Sequence, residues 1–408
     1  MASPLPAIVS LLAGAGLLTI ANALLGSLTG VRMAMEGFPR PLAGLVMSAY
    51  FAGFIGGTLK ASAMIGRVGH IRAFAACAGI LGAAAMGHAL WVGPVAWIVL
   101  RALVGFAMAG QLMITESWLS SVAAGPRRAR VFSSYMVAIY LAFGLGQFGL
   151  SLGDPAGLEL FVLISLILAL SILPIVLTTA DAPVLEAPPR LRFGRLFAVA
   201  PLALAGAFTA GLAVGSVQSL GPQFASDIGL PVARIALFMG VFFLSGLLLQ
   251  WPAGHLSDLV DRRQVLGGMA LAAAIACVLL GLLHLRSGTA LFILAALGGG
   301  TIATIYPLSV AHANDQLAHE SVIPITAALL LANGIGAVVG PIAASIVMVA
   351  VGPAGLFYSA ALPCVVLAGY AAYRARMHDR VEQVHFTAVA QTTPVVAELD
   401  PRAEEQHP

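Results

Sequence analysis

Twelve long apolar runs follow one another along this 408-residue chain, and they limit its fold more than any other feature. Their approximate limits are 8–30, 42–64, 73–92, 95–119, 131–152, 157–179, 196–219, 232–256, 264–285, 289–312, 321–350 and 356–373. A helix needs about 20 apolar residues to cross a hydrocarbon core of roughly 30 Å. Charged residues make up 9% of the chain, against about 25% in a soluble domain, too few to cover a water-facing surface. Lipid is therefore the medium around most of this protein. Helices are the expected element, because in lipid each backbone N–H and C=O must be paired within its own segment or within a closed barrel. Barrel strands alternate apolar and polar residues over about ten positions, and "LFVLISLILALSILPIVL" (160–177) does not. The expectation is an all-α membrane protein with twelve transmembrane helices in two six-helix bundles.

Orientation follows from arginine. Loops after spans 2, 4, 6 and 8 hold Arg67, Arg72, Arg127, Arg128, Arg130, Arg190, Arg192, Arg195, Arg262 and Arg263; those on the other side hold Arg32, Arg40, Arg234 and Arg286. Short loops rich in Lys and Arg stay in the cytoplasm, so both termini are expected there. The opening "MASPLPA" lacks the positive charge of a signal peptide, so span 1 is expected to be retained. The Pro-rich gap "ADAPVLEAPPRLRFGR" divides the chain. Expected units are a bundle over 1–180, a cytoplasmic linker over 181–195, a bundle over 196–373 and a disordered cytoplasmic tail over 374–408. Cys77, Cys277 and Cys364 all lie in apolar runs without metal-ligand spacing, and are expected to be inert.

The charge that remains is concentrated. "WPAGHLSDLVDRRQVL" (251–266) holds Asp258, Asp261, Arg262 and Arg263 between two apolar runs. It has an echo in "SAMIGRVGHIRAF" (62–74) at an offset of 192, and "FGLGQFG" (143–149) is echoed by "NGIGAVVGP" (333–341). A chain of two such halves has the internal repeat of secondary transporters, whose sites lie near the midplane between repeats.

On these residues the chain resembles the major facilitator superfamily. "GHLSDLVDRR" is similar to the family's loop signature between helices 2 and 3, in its second-half copy. "LRALVGFAMAG" (100–110) resembles the helix 4 pattern R-x-x-x-G-x-x-x-x-G. "ESWL" (116–119), "RVGHIRAF" (67–74) and "YPLSVAHAND" (306–315) together look like an uncharacterised bacterial branch, the YcaD-like transporters. The first-half loop departs from the pattern, with Gly66 where the family has Asp and Ser62 where it has the leading Gly.

The resemblance implies roles for named positions. Helices 1, 4, 7 and 10 would line a central cavity, offering Asn22, Arg101, Gln111, Gln218, Tyr306 and Ser309, with Gln147 added by helix 5. An amide or a charge inside a span is costly in lipid and faces the bundle interior. A cytoplasmic gate would be built from Arg67, Arg72, Glu116, Arg128, Arg130, Asp258, Arg262 and Arg263. Topology anchoring and inter-helix bonding remain open for the same residues. Gly144, Gly146 and Gly149 on helix 5, and Gly334, Gly336 and Gly340 on helix 11, permit close helix approach.

The expected function is secondary active transport of a small organic solute across the bacterial inner membrane by alternating access. Proton coupling stays open, since no carboxylate falls mid-helix in spans 1, 2, 4 or 5. The alternative is a multidrug/proton antiporter working in efflux. No HExxH, GxSxG or Cys/His cluster points to an enzyme. No cofactor, metal or nucleic acid is expected. Expected partners are the solute, H+ as an option and the lipid bilayer, around a monomer.

Overall fold

The computed structural model describes residues 5–122, 128–176, 193–283, 288–317, 322–377, 383, 386 and 391–399. Twelve long helices run through it: α1 (Leu5–Met35), α2 (Arg40–Val68), α3 (His70–Leu90), α4 (Pro94–Val122), α5 (Arg128–Phe148), α6 (Glu159–Val176), α7 (Pro201–Asp227), α8 (Val232–Leu259), α9 (Arg262–Leu283), α10 (Thr289–Gln316), α11 (Val322–Val351) and α12 (Gly355–Met377). Each is long and apolar enough to cross a membrane. Among the described residues there is no strand. Large apolar side chains such as Leu248, Trp251, Leu362 and Val366 point outward and are more than half exposed. On a twelve-helix protein such a belt is the lipid-facing surface. The end bearing Arg67, Arg72, Arg262 and Arg263 is termed the inner face below, and the opposite end the outer face.

The repeat is visible in the turns. α1 ends at Gly37, with φ 68°, and α7 at Gly229, with φ 80°, an offset of 192 residues. In both, a 6→1 bond closes the helix, from Phe38 N–H to the Met33 carbonyl and from Leu230 N–H to the Ala225 carbonyl, each at 3.0 Å. This is the Schellman arrangement, whose left-handed residue favours glycine. Pro39 and Pro231 then precede α2 and α8, where a missing N–H does no harm.

Packing repeats in the same way. α2 lies along α4 as α8 lies along α10; α1 meets α5 and α6 as α7 meets α11 and α12; α3 meets α4 and α6 as α9 meets α10 and α12. Adding six to each helix number maps these contacts of one bundle onto those of the other. The seams between bundles obey the same operation: α2 packs on α11, α5 on α8, and α1 on α7 across the axis. The fold is two pseudo-symmetric six-helix bundles related by a pseudo-dyad.

Glycine sets the closest approaches. A Cβ at Gly105 on α4 would strike the Tyr50 carbonyl of α2, and one at Gly299 on α10 would strike the Phe242 carbonyl of α8. Gly146 on α5 faces Ile20 of α1, and its counterpart Gly336 on α11 faces Phe208 of α7. Gly144 touches Leu244 across one seam, as Gly334 touches Ile55 across the other. Small residues are what allow membrane helices to pack backbone to backbone, where dispersion rather than water exclusion holds them.

Two stretches differ from the expectations. Span 7 was expected from residue 196; instead the chain breaks at Ala200 (φ −126°, ψ 55°) and α7 starts at Pro201. Proline tolerates the first turn of a helix but not its interior, so Phe193–Val199 forms a separate short helix. Residues 181–192 of the expected linker lie outside the described residues. The tail from 374 was expected to be disordered, yet α12 continues to Met377 and Pro394–Leu399 forms a 3-10 helix packed on α4 and α11. Thr393 and Val396 are fully buried; contact with the cavity mouth supplies the packing that polar composition alone does not reveal.

Candidate functional site: the cavity between the bundles

A cavity of about 270 Å³ lies on the pseudo-dyad between the bundles, lined by α1, α2, α4, α5, α7, α8, α10 and α11. α3, α6, α9 and α12 stay on the outside of the ring. Its polar side chains include Asn22, Tyr50, Gln218 and Asn333, and no Asp, Glu, Lys, Arg or His occurs among the described lining residues. The rest is aliphatic, glycine and phenylalanine. Phe143 of α5 and Phe243 of α8 meet edge to face across the seam, with centroids 4.7 Å apart at 70°. Phe51 and Phe54 flank Tyr50 on α2, and Gln250 of α8 donates to the Tyr140 hydroxyl of α5 at 3.0 Å.

Asn22 and Tyr50 form the best-defined polar pair in the wall. The Asn22 amide nitrogen donates to the Tyr50 hydroxyl at 3.1 Å. Its carbonyl oxygen is buried without a hydrogen-bond partner, although a buried acceptor left unmade costs about 1–3 kcal/mol. Behind this pair, the Arg101 guanidinium lies over the Tyr50 ring, 4.8 Å from its centroid. A cation over an aromatic face is attracted by the ring quadrupole. Arg101 is 3% exposed, and its Nε and Nη1 have no hydrogen-bond partner. The arrangement fixes a positive charge one ring behind the cavity surface.

Of the residues expected in the cavity, Asn22 and Gln218 reach its wall. Arg101 acts on it through Tyr50. The other four sit between helices in this state. Gln111 donates to the Phe74 carbonyl of α3 at 3.3 Å. Gln147 accepts from Ser27 of α1 and donates to the Phe143 carbonyl. Ser309 donates to the Ile305 carbonyl at 2.7 Å and abuts Gly206 of α7. Tyr306 is fully buried, its hydroxyl without a partner.

The residues expected at the gate divide likewise. Arg262 is almost wholly buried and pairs with Asp315 of α10 at 2.7 Å and with Asp258 at 3.1 Å. Arg263 pairs with Asp261 at 2.7 Å and donates to the Arg374 carbonyl of α12. These partners all belong to the second bundle, so the pairs tie α8, α9, α10 and α12 to one another. Glu116 is fully buried on α4 and accepts from the Tyr135 hydroxyl of α5 at 2.6 Å. Arg67, Arg72 and Arg130 are exposed. The Arg127 position and the Arg128 side chain lie outside the described residues.

Sequence reasoning passed over the outer seam. Arg40 at the start of α2 donates to Asp227 of α7 at 3.1 Å and to the Met348 carbonyl of α11 at 2.7 Å. Ser48 of α2 donates to the Val338 carbonyl of α11 at 2.7 Å. A Cβ at Gly44 would collide with Ser345 and the Pro341 carbonyl. Two charges at the outer ends of paired spans in different halves were the available signal. Asn333, one position from the singled-out Gly334, was also passed over; it lines the cavity and donates to the Ala207 carbonyl at 3.1 Å.

Comparison with known proteins agrees with this architecture. The family model described as Major Facilitator Superfamily matches residues 7–246 and 203–399. The chain is 30% identical over 346 residues to an uncharacterized MFS-type transporter YcaD of Salmonella heidelberg (strain SL476), covering 83% of this chain and 88% of that protein. It is 28% identical over 333 residues to the YcaD protein of Escherichia fergusonii, covering 81% and 86%. Among solved structures, a bacterial homolog of the human lysosomal transporter Spinster, in an inward-facing and occupied conformation, superposes with a TM-score of 0.75 at 16% identity over 94% of this chain and 100% of that one. The nucleoside transporter NupG gives 0.71 at 15% identity over 90% and 96%. With two pseudo-symmetric bundles, a cavity on their axis and relatives of this similarity, the chain belongs to the major facilitator superfamily, in its YcaD-like branch of membrane transporters.

Proposed function

We propose that the protein is a secondary active transporter that carries a small, uncharged, ring-bearing organic solute across the bacterial inner membrane, with both termini in the cytoplasm. The observation that carries this is the cavity itself. It sits between the bundles, its described wall holds amides and aromatic rings without an ionisable acid or base, and its outer side is latched by Arg40. A charged solute entering so apolar a space would lose hydration without a counter-charge at the surface. A planar uncharged solute stacks on Phe51, Phe54 or Phe243 and hydrogen-bonds the amide side chains of the wall, Asn22, Gln218 and Asn333. Arg101 tunes the Tyr50 hydroxyl from behind rather than meeting the solute. Alternating access then follows from rocking of the two repeats about the site.

Counterflow in proteoliposomes tests it. Liposomes loaded with neutral heteroaromatics, sugars, carboxylates or organic cations are diluted into trace labelled solute of the same class. Exchange is expected for the neutral ring compounds and is lost in Asn22→Ala. Exchange confined to carboxylates or organic cations contradicts the assignment. An imposed pH gradient in the same vesicles reads proton coupling directly. Efflux of hydrophobic compounds is a second reading, favoured by the phenylalanines of the wall; drug-stimulated proton release from everted vesicles distinguishes it.

A further inference from the structure

The inner mouth of the cavity is occupied by the chain's own C-terminal segment. Gln391, Thr392 and Pro394 form part of the cavity wall. Thr393 and Val396 are fully buried, and the Thr393 hydroxyl donates to Glu116 on α4. The other oxygen of the same carboxylate accepts from Tyr135 of α5. Upstream, the Phe386 N–H donates to Asp258 at 2.9 Å, and the Phe386 ring covers Gly254 so closely that any Cβ there would strike it. Gln383 donates to the Val260 carbonyl at 3.3 Å. One peptide is thus fastened to α4 and α5 of the first bundle and to α8 of the second.

We propose that residues 391–396 act as a plug in cis, closing the inner exit of the cavity until the segment withdraws. Its seat fits a reversible occupant. A fully buried carboxylate needs donors for its lone pairs, and Thr393 offers a hydroxyl where water serves equally once the mouth opens. Departure of the segment therefore hydrates Glu116 instead of stranding it. Val395 and Val396 supply the apolar part of the contact, on the helices that border the mouth. Because the peptide is anchored to both bundles, relative motion of their inner ends pulls on it, and the seated plug opposes that motion. The arrangement is a two-state element of order and release, biased by whatever binds or modifies the tail.

The test needs no transported solute, so its outcome is independent of the substrate assignment. In a background where Cys77, Cys277 and Cys364 are replaced by Ala, Leu112→Cys places one thiol in the cavity wall. Everted membrane vesicles are treated with a membrane-impermeant maleimide and the labelling rate is measured. Truncation before Gln391 is expected to raise the rate at least tenfold over the full-length chain, with Val396→Asp moving it in the same direction. In the full-length chain, oxidising a Gly254→Cys/Phe386→Cys pair is expected to hold labelling at its slow limit until the bond is reduced. Equal rates in the truncated and full-length proteins, both monodisperse after extraction, overturn the plug. Should the truncation fail to fold, undiminished labelling of the oxidised pair, relative to its reduced form and to Val396→Asp, overturns it as well.

Discussion

Arg40, the first residue of α2, and Asp227, the last of α7, form an ion pair of 3.1 Å that joins the two bundles at the outer face. Both side chains are partly exposed, at 30% and 20%. A pair of this kind contributes about 1 kcal/mol or less. That is small for a fold and large for a switch, since about 1 kcal/mol moves a two-state ratio roughly fivefold. Arg40→Ala is therefore expected to raise the outward-open population several-fold with little change in thermal stability. Labelling of Ser48→Cys by an impermeant maleimide in right-side-out vesicles measures this. An unchanged rate means that the pair is not a latch.

The buried pairs of the second bundle are expected to act on stability. Arg262 is 1% exposed, and its nearest carboxylate, Asp315, is 4% exposed. Removing one partner of a buried pair leaves an uncompensated charge, at roughly 3–5 kcal/mol. Asp315→Asn should approach that loss. Asp258→Asn should cost about 1 kcal/mol, because Asp258 is 18% exposed and water replaces it. Unfolding midpoints in detergent give the ordering, and the reverse order contradicts the assignment of Asp315 as the main partner.

The glycine seams give a sharper contrast. A Cβ at Gly105 meets the Tyr50 backbone, whereas one at Gly79, also mid-helix, meets nothing within 4 Å. Gly105→Ala is expected to destabilise by about 1–3 kcal/mol through overpacking. Gly79→Ala should be neutral or stabilising by up to about 1 kcal/mol, because alanine restricts the unfolded chain. Equal effects at the two positions mean that the α2–α4 contact is looser than described.

Arg101 and Tyr50 are expected to fail together. Arg101→Ala removes the cation over the ring and Tyr50→Phe removes the hydroxyl that Asn22 bonds. Each should lower the initial counterflow rate at least tenfold in a folded monomer. The double variant should be little worse than either single one, since contacting residues are not additive. Arg101→Lys should rescue poorly, because a compact ammonium does not spread over the ring as a guanidinium does. Additive losses would indicate two separate roles.

The helices were legible in the sequence because hydrophobic length is a one-dimensional property. So was the two-fold repeat, in the echoed stretches at offset 192. Asn22 and Gln218 were readable as wall residues because each is a lone amide in an apolar span. Gln111 and Gln147 carry the same signal and yet bond neighbouring helices, and Ser309 bonds a carbonyl of its own helix; helical phase relative to the axis separates the two cases, and a smooth apolar run does not display it. Arg262 was readable as charged but not as paired within its own bundle, because Asp315 lies 53 residues away. The tail's seat was hidden for the opposite reason. Its composition is that of a solvated segment, and its order comes from a groove formed by helices distant in sequence.

The central claim is that the two bundles rock about their shared axis, so that one face opens as the other closes. The most direct measurement is double electron–electron resonance on two spin-label pairs at exposed sites. Met35→Cys with Ala233→Cys reports the outer face, and Arg67→Cys with Leu259→Cys the inner face. On addition of an exchanging solute, the outer and inner distance distributions are expected to shift in opposite directions. Shifts of the same sign at both faces, or single distances that solute leaves unmoved, contradict it.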